Sequence, residues 1–130
     1  MNLNLIIILS LLSYIYDINI DNHYKYCNNN FSINILLFIH HILSVYIHFG
    51  WINNNNPTIY LLLLVFTMIH WFTNNFKCKY TQYVNEKCNI DINYPLRDII
   101  YFSGLKNSKY YKLIYYTYLI FIIIYLLYKK

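Results

Sequence analysis

Eight residues carry most of the side-chain chemistry in this chain: His23, His40, His41, His48 and His70, with Cys27, Cys78 and Cys88. Imidazoles among apolar residues can ligate haem or a metal, or simply hydrogen-bond between helices. Haem needs two axial groups from facing helices and a structural metal needs three or four ligands, which makes His41 and His70 the candidate cofactor-binding pair. His41 and His48 stand two turns apart on one helical face, while His40 points about 100° away from His41. Outside the apolar runs, Cys27, Cys78 and Cys88 are candidates for a disulfide or a metal. With His23 they are zinc-compatible in type, but they lack the C-x-x-C half-sites of zinc ribbons. A Cys78–Cys88 disulfide would close a small loop and needs an oxidising compartment. A thiol catalyst needs an imidazole within hydrogen-bond reach and a third orienting group, which spacing alone does not supply. Asp17, Asp21, Glu86, Asp91 and Asp98 form no evident acid–base pair, and two glycines leave no phosphate-cradling loop.

The elements that position these residues follow from composition. The 130 residues make one domain, 1–130. Hydrophobic residues reach 58% and charged residues only 12%, about half the share of a soluble chain, which points to a membrane protein. There is no alanine, and tyrosine alone counts 17. Such a bias toward AT-rich codons lowers the weight of any tyrosine or asparagine motif. The net charge of +5 comes from basic residues flanking apolar runs, as membrane topology requires. No basic stripe or stacking motif suggests nucleic acid.

Four runs are read as spans, at about 3–20, 31–51, 57–73 and 110–128. Crossing a hydrocarbon core of about 30 Å takes about 20 helical residues. The first is taken as an uncleaved span in preference to a signal peptide, since a basic leader and an A-x-A step are missing. Asp17 near its end is expected to reach the headgroups. Asn30-Phe31-Ser32 matches a glycosylation sequon, but it abuts a span and is expected to stay unmodified. Between the second and third spans, Asn53 to Asn56 favour a turn. Pro57 suits the first helical position, Asn56 its cap, and Gly50 the end of the preceding helix. These two spans are expected to be antiparallel neighbours. Pro95 to Leu105 reads as a short helix flat on the membrane surface before the last span.

Depth then argues against a shared His41–His70 site. His41 lies about ten residues from the loop face and His70 about three, roughly 10 Å apart along the axis. Interhelical hydrogen bonding is the simpler role for these histidines. Four spans put loops 21–30 and 74–109 on one side, which carries eight of the ten basic residues. The positive-inside rule makes that side cytoplasmic, whereas a disulfide there would require the opposite.

From Ile69 to Cys88 the chain reads IHWFTNNFKCKYTQYVNEKC: a His-Trp pair ending a span, an asparagine patch, C-x-x-T and a second cysteine. This stretch resembles small multi-span proteins of unknown function encoded by large AT-rich DNA viruses. More loosely it is similar to small uncharacterised bacterial membrane proteins with a C-x-L-T-like step, although Lys79-Tyr80 here replaces the hydrophobic residue before Thr81. The resemblance implies a membrane location and no mechanism.

The expected fold is thus all-α: an integral membrane four-helix bundle with a short interfacial helix before the last span. The expected function is that of a multi-pass, non-enzymatic scaffold or interaction protein of viral type, without a cofactor. Its expected partners are the lipid bilayer, other proteins or a second copy of itself. The alternative is a haem- or metal-binding redox protein using His41, His70 and the loop-face cysteines. A transporter is disfavoured, because no span combines charges with a helix break.

Overall fold

The computed structural model describes residues 3–20, 30–52, 56–95, 99–102, 104 and 109–129. Among these residues the chain is all-α and has no strand. The helices are α1 (Leu3–Ile20), α2 (Phe31–Phe49), α3 (Pro57–Thr73), α4 (Lys79–Lys87), α5 (Ile99–Phe102) and α6 (Tyr111–Tyr128). Two of them, α2 and α6, are long and apolar enough to cross a membrane; Leu3–Asn19 and Pro57–Thr73 are apolar but shorter. Of the residues singled out above, Asp21, His23, Cys27, Asn53 to Asn55, Leu96 to Asp98 and Leu105 lie outside the described set.

Local chemistry sets the helix ends. The Asn30 side chain accepts hydrogen bonds from the amides of Ser32 (3.1 Å) and Ile33 (3.4 Å) at the start of α2, so the sequon asparagine serves as an N-cap. Pro57 opens α3 after Asn56, a position that wastes no amide donor. Gly50 follows α2 with an ordinary right-handed φ of −64°. Its glycine is required by space, since a Cβ there would meet the Tyr46 ring at 2.9 Å.

The helices pack as two pairs. α1 lies on α2, α3 lies on α6, and α4 and α5 also rest against α2. On α1 the buried residues are Ile6, Ser10, Ser13 and Asp17, spaced by four, three and four, the stripe of a packed helical seam. The α6 residues Tyr115, Leu119, Ile122 and Leu126 repeat that spacing and join Tyr60 and Leu64 of α3 in the main core. A second core couples Ile33 and Leu37 of α2 with Val84 and Cys88.

Three expectations change here. α2 and α3 meet near their turn, where the Tyr60 hydroxyl donates to the Ile47 carbonyl (2.5 Å) and the Tyr46 and Tyr60 rings touch edge to face. Away from it each packs closest on another helix, and a cleft of about 270 Å³ opens between them. Asp17 does not reach outward; it is 1% exposed, because Ser13 and Asp17, one turn apart, share the face that meets α2. Within the expected Pro95–Leu105 helix the described helical residues are Ile99–Phe102, and Ile100 is buried in the main core rather than lying on a surface.

Candidate functional site

Each described histidine reaches a different neighbour. His41, fully buried on α2, points at α1: Nε2 faces the Asp17 carboxylate at 3.3 Å and Nδ1 the Ser13 hydroxyl at 2.9 Å. With Nε2–H donating to Asp17, Nδ1 accepts from Ser13, or donates to it when the ring is an imidazolium. The three side chain types are those of an acyl-transfer triad, and all three are buried in the seam between α1 and α2.

His48 joins α2 to α6. Its Nδ1–H donates to the Ser44 carbonyl, which leaves Nε2 of the neutral ring to accept from the Tyr115 hydroxyl at 2.7 Å. The His48 carbonyl accepts from Tyr118 (2.6 Å) and from the Trp51 indole (2.9 Å). His70, at the end of α3, accepts from the Lys79 amide (3.2 Å) at the start of α4. His41 and His70 are therefore not brought to one site: His41 is turned to α1, while His70 lines the α2–α3 cleft. Among the described residues no three His, Cys, Asp or Glu side chains are grouped to hold a metal.

The remaining histidine, His40, faces the other way and meets a thiol. A tight turn carries the chain from α3 to α4. Asn75 and Phe76 take left-handed φ values of 51° and 63°, a costly conformation that the surroundings must hold. The Phe76 amide donates to the Trp71 carbonyl (2.8 Å), the Asn74 side chain donates to the Lys77 carbonyl (2.6 Å), and the Phe76 ring packs on Tyr116. Cys78 follows at the head of α4, opposite His40. The His40 ring is stacked on Tyr80, whose hydroxyl is tied to the Leu36 carbonyl (2.8 Å).

Burial pushes the Cys78 thiol up, but the hydrogen bond and charge of His40, helped by the amide and hydroxyl of Thr81, outweigh it and lower it from 9.0 to about 7. On the outer side a cavity of about 360 Å³ adjoins the thiol. Asn85, fully buried, holds the loop that roofs it by donating to the carbonyls of Asp91 (3.2 Å) and Tyr94 (2.8 Å).

The loop-face cysteines divide in role. Cys78 is a free thiol, and Cys88 is buried and disulfide-bonded. The small-loop Cys78–Cys88 disulfide is therefore not formed; the two residues sit at opposite ends of α4, whose helical rise separates them. Sequence reasoning missed α4 itself, placing no helix in the polar segment 74–109 ahead of Pro95–Leu105. Thr81, Val84, Asn85 and Cys88 are spaced by three, one and three and are all buried, a helical stripe that was visible among the polar residues. It also missed His40 as the partner of Cys78 and Asp17 as the partner of His41. No family model matches the chain, and neither does any curated protein or solved structure.

Proposed function

We propose that the chain is a four-span membrane protein that works by contact, a non-enzymatic scaffold or interaction subunit held in the lipid bilayer. The observation that carries this reading is an inverted distribution of polarity. Ser10, Ser13, Asp17, His41, Ser44 and His48 are buried, while Leu5, Ile8 and Leu12 on α1, Ile59, Leu62 and Phe66 on α3, and Leu113, Phe121 and Ile124 on α6 are exposed. In water the opposite arrangement is favoured; in lipid, polar groups gain by turning inward and helices associate through them. α1 and α3 are short for a span, at roughly 25–27 Å, a mismatch that local thinning accommodates. The partners of such a surface are lipid and the apolar helices of other membrane proteins or of a second copy.

The loop face is read as lying in an oxidising compartment, supported by the disulfide at Cys88. This reverses the orientation that basic residues alone give. An impermeant thiol reagent applied to intact vesicles tests both points. Labelling of Cys78 from the side exposed to the oxidising lumen supports the reading, and labelling only from the cytoplasmic side overturns it. For the contact role, alanine at His41 is expected to weaken the bundle in detergent without removing any chromophore. A Soret band lost with His41→Ala, or stoichiometric bound metal, would overturn the reading in favour of a cofactor protein.

A further inference from the structure

The α2–α3 cleft and the outer cavity share three wall residues, His40, Trp71 and Cys78. The thiol therefore stands in the partition between two spaces of about 270 and 360 Å³. The cleft wall also holds Ser44, one turn beyond His40, with its Oγ buried and, among the described residues, without a hydrogen-bond partner. A buried hydroxyl left unsatisfied costs about 1–3 kcal/mol, and its position one turn into the cleft gives it a use when something with a polar atom enters. The rest of the cleft wall is mainly apolar, with Leu43, Ile47 and Phe66.

We propose that Cys78 and His40 form a nucleophilic thiol site that exchanges with small disulfides bearing an apolar or aromatic arm, the arm entering the α2–α3 cleft. His40 takes the Cys78 proton and holds the thiolate. The thiolate attacks one sulfur of R–S–S–R′, a Cys78–S–S–R bond forms, and the R–S–S–R′ bond breaks. The leaving R′–S⁻ takes up the proton from His40. The Cys78 sulfur is oxidised as R′–S is reduced, so the two-electron balance closes without a further reagent. Cys88 is already bonded and stands at the far end of α4, so it does not resolve the product. The mixed disulfide persists until an external thiol arrives, and the chain carries a single-thiol redox mark. Thiolate character and access are what make such a cysteine reactive. The scaffold reading is not required, because this chemistry depends only on the geometry of α2, α3 and the head of α4.

The titratable or charged groups that line the two cavities with the thiol are His40 and His48 from α2, His70 from α3, Lys77 and Tyr80 beside it, Tyr94 of the roofing loop, Tyr101 from α5, and Tyr111 and Tyr115 from α6. The test uses the full chain in detergent and 4,4′-dithiodipyridine, a neutral aromatic disulfide whose released thiopyridone is read by absorbance. Reaction is expected at Cys78, lost in Cys78→Ser, with a rate that rises through a midpoint of about 7. His40→Ala should move the midpoint up toward about 8.5 and slow exchange at pH 6.5 by about fivefold, the loss of thiolate being partly offset by its greater basicity. Thr67→Leu, which narrows the cleft from α3, should slow the disulfide more than the smaller iodoacetamide, while leaving the midpoint unchanged. A midpoint that His40→Ala does not move would overturn the pairing. Equal slowing of both reagents by Thr67→Leu would overturn the cleft as the binding site. Melting curves of each variant separate these outcomes from unfolding.

Discussion

His40 and His41 are consecutive residues on one helix, yet their surroundings differ in kind. His41 is sealed between α1 and α2 with Asp17 and Ser13. His40 stands at the edge of two cavities, beside a free thiol and a stacked tyrosine. A rotation of about 100° along the helix separates a group that stabilises by being inaccessible from one that can react because it is reached. The pair at His41 fixes which face of α1 meets α2. The pair at His40 changes the ionisation of Cys78, and its removal should be felt in reactivity before stability.

That contrast can be broken most sharply at Asp17. Asp17→Leu should lower bundle stability by about 3 kcal/mol, since one member of a buried polar pair is left behind. Adding His41→Leu to it should recover most of the loss, because an apolar pair of similar volume suits the seam. Unfolding in mixed detergent micelles measures both, and a double variant as unstable as the single one would remove the pairing argument. Gly50→Ala is next, at about 2 kcal/mol from crowding against Tyr46, read by the same titration.

Tyr115→Phe deletes the hydroxyl donated to His48 and should cost about 1 kcal/mol; no change would mean that His48 does not hold α6 through this bond. Smallest in stability and most specific is the pH response at the open edge. Cys78 is lowered from 9.0 to about 7 in the folded chain. Between these values the unfolded thiol binds more protons than the folded one, so stability should rise with pH across about 7 to 9. Below about 7 the contribution is gone. Cys78→Ser should flatten that rise, whereas His40→Ala should diminish it.

The long helices were legible because each announces itself locally. Apolar runs of 17 to 19 residues bounded by Asn30, Pro57 and the terminal lysines need no knowledge of their neighbours. The partners were not legible for the same reason. A position on α2 fixes the depth of His41 but not whether α1, α3 or α6 lies opposite it. The depth count separated His41 from His70, and it had no means of pointing to Asp17, which carries nothing in its local sequence to mark a buried acid. α4 was hidden by its polarity: its buried stripe is made of Thr81, Val84, Asn85 and Cys88, only two of them apolar. Since α4 carries Cys78 at its head, missing the helix also hid the thiol's alignment with His40.

The Asp17–His41 contact has a consequence for how the chain is made. On the four-span reading, neither residue is comfortable in a bilayer alone: an ionisable group costs up to about 3 kcal/mol at mid-span on insertion scales, and less toward an end, where Asp17 lies. Bringing α1 and α2 together satisfies one with the other. On the four-span reading proposed above, the first two helices are best released into lipid as a unit, with α1 retained beside the insertion machinery until α2 has emerged. The order of synthesis supplies that pairing, because residues 21–30 are all that separates the two helices in the chain.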